Sequence, residues 1–529
     1  GVCETPQPAE MRDFFCNKKY NPSPNCGKIR LREIKSPKSK RSYITTMITQ
    51  TQLSLADIYS DCSNIYENDK PYFLQLLESN LNLDELIPIN FRNKFYAPTG
   101  RPRTYKLKAM LWALILQRIF SISEDSLLIT FLTFSKELRE FCGFQKVPDA
   151  SKFTRFKQDF LPELKSLFDN LVDVTEPICH QIDEAKASMT IFDTSGIEAY
   201  VTENNPKFLN RIVSRLKTYK KVMGFSDSYD PYKAAYTLMP THAASNDEIK
   251  QLYINGHFCY VYKFGMITNG LGIVRDISFF NKDFLDSHPD IEVEKKTNSP
   301  NEDKSLHDAK ALIPVLEDFF EKHPGICPDV FLGDAAFDSG LIYKSLLQDL
   351  KFSKAYIPLN SRSGITYPDC PVNSNGIPCC PKDKSLPMKP EGTAKRTNGL
   401  VRFKFSCPKV KFVKHDDGKY RRQCYCENPC TDSKSGRMFY IYPEKNLRAY
   451  PGTIRGTDEW IDTYKIRGAV EKSINHFKDS FCIAKRKSQN AKTLHADLIL
   501  SGITQLITVV LADKINQHKL IRSLKPLIA

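Results

Sequence analysis

The sequence predicts an α/β protein: a mixed sheet with flanking helices, preceded by a helical region and interrupted by a cysteine-rich insertion. Three observations predict it. Between 187 and 340, strand, hairpin, helix and strand patterns follow one another. Between 99 and 160, apolar residues recur at helical spacing. Between 361 and 449, seven cysteines amid Pro, Lys and Gly break both rhythms. The expected boundaries are an N-terminal arm with short helices at 1–90, a helical region at 91–185, the first part of the sheet domain at 186–360, the insertion at 361–449, a helical completion at 450–515 and a tail at 516–529.

Composition bounds the partners. The 529 residues suggest three or four units at about 150 residues each. Lys and Arg outnumber Asp and Glu by 76 to 61, and the net charge of +15 favours a polyanion such as DNA or RNA. A hydrophobic share of 41% excludes a disordered or collagen-like chain. The opening GVCETPQPAEMRDFF has no apolar core of a signal peptide, so the 16 cysteines are expected as reduced thiols or metal ligands. The apolar stretches Ala109–Phe120 and Leu498–Ala512 are broken by Gln117, Arg118 and Gln505. Both fall short of the roughly 20 residues of a membrane span and read as buried helices. No membrane partner is expected.

Residues 1–50 are polar and rich in Pro and Lys, with Cys3, Cys16 and Cys26 too widely spaced to favour a metal over free thiols. TGRPRTYKLKAMLWALILQRIF turns from a basic start into an apolar helix. SEDSLLITFLTFSKELREF begins with Ser and acids, as a helix N-terminus prefers. In VPDASKFTRFKQDF, Ser151 is a candidate cap, Phe153, Phe156 and Phe160 form one apolar face, and Lys152, Arg155 and Lys157 lie off it. Three short helices ending in a basic one suit a helix-turn-helix DNA reader with Lys152 and Arg155 on the DNA. A plain bundle with a solvated basic face fits equally well.

ASMTIFDTSGIEAY reads as an apolar strand running into Asp193. GHFCYVYKFGMITNGLGIVRDISFF reads as two strands with a turn at Thr268–Gly270, KSLHDAKALIPVLEDFF as a helix, and DVFLGDAAFDSG as a strand ending at Asp334. A carboxylate at a strand's C-terminal end emerges where α/β sites usually lie. Two such acids repel, and a divalent cation relieves the repulsion. In WIDTYKIRGAVEKSINHFKDSFCIAKRK, Tyr464, Arg467, Glu471 and Lys478 share a helical stripe about 60° wide, bordering an apolar face of Ile466, Val470, Ile474, Phe477 and Phe481. An acid flanked by Arg and Lys suits a site that binds phosphate and metal together.

These residues resemble the DDE transposases of bacterial insertion sequences, in the branch with a Tyr-x2-Arg-x3-Glu-x6-Lys signature. Tyr464, Arg467, Glu471 and Lys478 match every interval, and FDTSGIEAY and FLGDAAFDSG resemble the two Asp strands. The likeness covers roughly 95–515, with acids 141 and 137 residues apart (334−193 and 471−334). The chain departs where relatives commonly carry Gly-Tyr after the second Asp. Here Ala335-Ala336-Phe337-Asp338 follows, and Asp338 becomes a rival to Asp334. The resemblance implies an RNase H-like domain in which Asp193, Asp334 and Glu471 bind two Mg²⁺ or Mn²⁺ ions, with Tyr464, Arg467 and Lys478 on end DNA. It implies cleavage at transposon ends, joining of 3′-ends to target DNA, a homodimer on double-stranded DNA, and a cytoplasmic, nucleoid-associated location. The alternative is a retired or domesticated DNA-binding protein; a nuclease that never joins ends is a third reading.

Two further features stand apart. Cys370, Cys379, Cys407, Cys424, Cys426 and Cys430, with Cys380 and His415 in reserve, could supply a structural zinc; free thiols are the plainer reading. Lys404, Lys409, Lys411, Arg421 and Arg422 would suit DNA phosphates. Arg211, Arg215, Lys217, Lys220 and Lys221 make a basic run that touches DNA or is merely solvated. His242 and His307 are assigned no role.

Overall fold

Strand β1 (Met189–Glu198) is the axis of the structure, a computed structural model that describes residues 71–226, 228–254, 257–291, 306–368, 370–395 and 401–528. These fall in one compact unit, Asp69–Ala529. Cys3, Cys16 and Cys26, and the arm up to residue 70, lie outside the described residues.

Around β1 the sheet is mixed. Beyond β2 (His242–Ala243) and β3 (Asn246–Ile254), β4 (His257–Thr268) pairs antiparallel with β1 from Ile191↔Thr268 to Glu198↔Val261. β5 (Val274–Phe279) and β3 both pair antiparallel with β4, on successive stretches. On the other side β6 (Val330–Leu332) runs parallel to β1, and β7 (Lys354–Tyr356) parallel to β6. β1 alternates as a strand must. Ile191 joins the core with β4 and the C-terminal helices, while Phe192 joins a second core with Leu312, Val315, Leu316 and Phe319. Helices therefore cover both faces.

The helical region contains α1 (Tyr72–Asn80), α2 (Ile89–Phe95), α3 (Leu107–Ile119), α4 (Asp125–Phe134), α5 (Lys136–Cys142), α6 (Ala150–Asp159) and α7 (Leu161–Ile182). α3 is buried on nearly every side, as its apolar run predicts. Two details differ from the sequence reading. The expected single helix over 123–141 is two, because the Ser135 side chain accepts the Leu138 N–H and starts α5. Asp149, not Ser151, caps α6; the Ser151 hydroxyl donates to Asp149 instead.

Between β1 and β2 stand α8 (Pro206–Met223) and α9 (Pro231–Leu238). α10 (Asp308–Lys322) precedes β6. Among the described residues of 389–441, β8 (Lys389–Lys395), β9 (Val401–Ser406) and β12 (Met438–Ile441) form one small sheet, and β10 (Val410–Lys414) with β11 (Tyr420–Cys424) a hairpin. Cys370, Met388, Phe403, Phe405 and Ile441 pack into a core of their own there.

The chain ends with α11 (Asp458–Lys465), α12 (Gly468–Asn475), a π-helical turn at His476–Ser480 and α13 (Ala491–Lys514). By length and hydropathy α13 could cross a membrane, but its whole apolar window is buried inside the protein. It crosses α7 closely. A Cβ on Gly502 would stand 2.5 Å from the Phe168 ring, so only glycine admits this contact.

Candidate active site

Three elements bring three acids together. Asp193 lies mid-strand rather than at the end of β1, contrary to the sequence reading. β4 keeps pairing with β1 as far as Glu198, but β6 stops at Leu332, opposite Ile191. Asp193 is therefore just past the last residue of the parallel neighbour. Asp334 follows β6 by two residues and caps the 3-10 turn Ala335–Phe337, its Oδ1 accepting the Ala335 N–H. Glu471 sits in the first turn of α12, which packs on β1 and β4 through Val470 and Ile474.

The three carboxylates meet one guanidinium. Arg467 Nη1 donates to Glu471 Oε1 at 2.5 Å and Nη2 to Asp193 Oδ2 at 3.2 Å, while Nη2 lies 3.8 Å from Asp334 Oδ2. Arg467 is 14% exposed, and its Nε has no hydrogen-bond partner among the described residues. Burial pushes the Asp193 carboxyl up to about 6; Arg467 opposes this, and the charges of Glu471 and Asp334 reinforce it. Burial works against the Arg467 cation too, but Asp193 leads the groups that hold it charged. Three carboxylates against one guanidinium leave two uncompensated negative charges, and hard oxygen donors suit Mg²⁺ or Mn²⁺. Among the described residues, no three His, Cys, Asp or Glu side chains stand close enough to form a metal ligand set as they are. Arg467 fills the space between the acids.

The helix expected to carry Tyr464, Arg467, Glu471 and Lys478 is broken, but its apolar face lies where the sequence puts it. Ile466 and Arg467 form a turn between α11 and α12, and the π turn widens the next one. Val470, Ile474, Phe477 and Phe481 are buried on the predicted apolar face. Tyr464 stacks on Trp460 at 4.7 Å, and burial, with the three acids nearby, raises its hydroxyl pKa. Lys478 leaves the stripe of Glu471. Its Nζ donates to Ser195 Oγ at 2.7 Å, and burial lowers its pKa. Ser195 is absent from the sequence reading, although its spacing from Asp193 carries the signal: residues i and i+2 of a strand share a face.

Asp338 is engaged away from the three acids. Its side chain is fully buried and accepts from Arg448 Nε at 2.9 Å, Arg448 Nη2 at 2.6 Å, Tyr343 Oη at 3.1 Å and Asn360 N at 2.7 Å. Burial would raise its pKa, but Arg448 and these donors hold it low. It anchors Arg448 beyond the small sheet to the turn after β6.

Lys152 and Arg155 are exposed on α6 and line a cleft of about 340 Å³ with Arg101, Arg103, Phe95 and Phe160. Lys157, expected beside them, is instead buried and ion-paired to Asp125 and Asp497 at 2.9 and 3.0 Å. His307 caps α10, its Nδ1 accepting the Ala309 N–H.

The cysteines fall into two neighbourhoods. Burial raises the Cys407 thiol to about 11, with Cys424 and Cys426 nearby adding to it. Burial also raises Cys430, which has Cys380 beside it, and Cys370, which has Cys379 and Cys380 near it. His415 lies in the β10–β11 turn.

Residues 63–159 match the family model described as Transposase domain (DUF772). The match ends 34 residues before Asp193 (193−159) and does not reach the acids. It supports a role in transposition. No curated protein matches the chain. Among solved structures, the cryo-EM structure of a piggyBac transposase synaptic complex with hairpin DNA is similar over 87% of this chain and 85% of that one, at 12% identity and a TM-score of 0.27.

Proposed function

We propose that the chain is a DDE-type DNA transposase that binds transposon ends, cleaves DNA and joins the freed 3′-ends to target DNA. The observation that carries this is the convergence of Asp193, Asp334 and Glu471, from three separate elements, on Arg467. The signature spacing and the transposase-domain match ahead of the sheet support it. The sheet supports an RNase H-like domain: antiparallel β5, β4 and β1 are followed by parallel β6 and β7, with helices on both faces.

In this reading Asp193, Asp334 and Glu471 would hold two Mg²⁺ or Mn²⁺ ions. The ions would supply Lewis-acid activation of the attacking hydroxyl and charge neutralisation at the leaving oxygen of an in-line displacement at phosphorus. The chain's own residues position the substrate. Arg467 turns from the carboxylates toward a DNA phosphate, Lys478 holds a second phosphate with Ser195 fixing its ammonium, and Tyr464 packs on the end DNA. Lys152 and Arg155 hold flanking duplex in the cleft on α6. A homodimer pairs two ends. A structural zinc drawn from Cys370, Cys379, Cys380, Cys407, Cys424, Cys426 and Cys430 belongs to the same proposal and is tested by metal content after purification under reducing conditions.

A second reading, a DNA-binding protein that no longer cuts, draws on the same Arg467. A guanidinium paired to all three acids suits a site that holds no metal. Cleavage of a plasmid carrying the gene's flanking DNA separates the two. Cuts at the element boundaries with Mg²⁺ or Mn²⁺, absent with EDTA and in Asp193→Asn, support the transposase. Binding without cutting under every metal condition supports the retired protein.

A further inference from the structure

Helix α8 follows the catalytic strand after only seven residues beyond Glu198. Its eighteen residues carry Lys207, Arg211, Arg215, Lys217, Lys220 and Lys221 and no acid. Six cations repel one another along a helix, so this helix is held by other means. Asn205 caps it, with Pro206 in the first turn, and Gly224 ends it in the left-handed conformation. Phe208, Ile212 and Leu216 recur every four residues; Phe208 and Ile212 pack against the main core, and the helix contacts α9 and the 3-10 turn Thr202–Asn204. Only Val213 of the eighteen is buried.

Lys207, Arg211 and Arg215 recur every four residues on a face about 100° round the helix from Phe208, Ile212 and Leu216, and Lys221 widens that arc to about 120°; all four are exposed. At the end of the helix Tyr219 meets Phe225 at a tilt, 5.5 Å between ring centres, and Phe225 stacks on Tyr229 at 5.1 Å, beside exposed Val222 and Met223. The root of the hairpin is tied to the segment after Lys478. Tyr200 N donates to Ser488 O at 3.3 Å, and Lys485 and Lys487 line the same cleft as Tyr200 and Pro206. The root of the hairpin therefore lies beside the segment that follows the π turn carrying Lys478.

We propose that the α8–α9 hairpin is a clamp for the phosphate backbone of duplex DNA, gripping it through Lys207, Arg211, Arg215 and Lys221. The inference rests on the reading that the chain acts on DNA and assigns a grip outside both the acids and the α6 cleft. An acid-free helix face with four exposed cations fits a line of phosphates, which a second copy of this basic chain does not offer.

The test is binding of a random-sequence duplex by fluorescence anisotropy over a range of KCl. The full chain is compared with Lys207→Gln/Arg211→Gln/Arg215→Gln/Lys221→Gln. The slope of log K against log salt should fall by about 0.9 for each phosphate released, up to about 3.6, with an unchanged melting curve and sedimentation. If the quadruple variant does not fold, Arg215→Gln alone should reduce the slope by about 0.9. An unchanged slope in a folded variant that binds as the parent does overturns the clamp and leaves the transposase reading standing. A changed oligomeric state with an unchanged slope also overturns it and makes the face a contact between copies. A parent that binds no DNA overturns the transposase reading, and the clamp with it.

Discussion

Arg118 on α3 and Asp497 on α13 form an ion pair at 2.7 Å across 379 residues, with side chains 0% and 2% exposed. Lys157 joins Asp497 at 3.0 Å, Asp125 joins Lys157, and Arg486 lies 3.9 Å from Asp497. The cluster ties the helical region to the helix that closes the sheet domain. Burial lowers the Arg118 pKa to about 10, and burial alone would raise Asp497, but Lys157, Arg486 and Arg118 hold its carboxyl far below the ordinary range. Breaking such a buried network strands cations, so Asp497→Asn should cost about 3–5 kcal/mol. Chemical denaturation measures it. Replacing Arg118 and Asp497 together by Met and Leu should cost less than Asp497→Asn alone. A single variant within about 0.5 kcal/mol of the parent would show that the cluster is not what joins the two regions.

Asp334 and Asp338, four residues apart, should respond oppositely to the same change. Asp338→Asn weakens a buried bond to Arg448 and should lower stability by about 3 kcal/mol. Asp334 is half exposed, and among the described residues its ion-pair partner is Arg467, so Asp334→Asn should melt like the parent and fail to cut DNA. Thermal melts and the plasmid assay on both variants decide the assignment. A cutting Asp334→Asn would return the role to Asp338.

Strands β1, β4, β5 and β6, the β4–β5 turn and the apolar face of the helix around Glu471 were legible because each rests on a local period, whereas β2, β3 and β7 were not read. Asp193, Asp334 and Glu471 were singled out for a second reason: two end apolar strand patterns, and the third stands at the Glu of the four-residue signature. What the sequence hid is tertiary. Lys157 looked like a surface cation, and only folding brings Asp125 and Asp497 to it. Lys478 left its stripe because a wheel at 100° per residue does not foresee a π turn at 476–480. Asp338 and Arg448 are 110 residues apart, and nothing local pairs them. The α8 helix has a Pro206 start, a Gly224 stop and four-residue apolar spacing, yet its dense basic run masks that period in the sequence.

Acid should destabilise the protein partly through His476. Burial, with Lys525 and Arg522 nearby, lowers its pKa to about 4, and its Nε2 is buried with no partner among the described residues. The folded state therefore refuses a proton that the unfolded chain accepts near 6.5. Stability is lost as pH falls from about 6.5 to 4, by about 1–3 kcal/mol. His495, buried on α13, acts in the same direction. Asp169 opposes it: burial raises its pKa to about 6, so it destabilises as pH rises from about 4 to 6. Denaturation of the parent and His476→Phe across this range isolates the histidine. The parent should lose more stability on acidification than the variant, and parallel curves would remove His476 as a cause.

Arg467 holds the last prediction. With its guanidinium between Asp193, Asp334 and Glu471, it competes with any divalent cation for the same oxygens. A unit charge at about 4 Å near a protein surface is worth up to about 4 kcal/mol, of which solvent screening leaves a part. Arg467→Gln should therefore bind Mn²⁺ at least tenfold more tightly in the absence of DNA, read by calorimetry, or by the rise in melting temperature with added Mn²⁺. The same variant should cut poorly, because the side chain that held a phosphate is gone. Tighter metal binding with weaker cleavage is the expected pair. Equal Mn²⁺ affinity in parent and variant would mean that Arg467 does not guard the acids, and that its three ion pairs are structural alone.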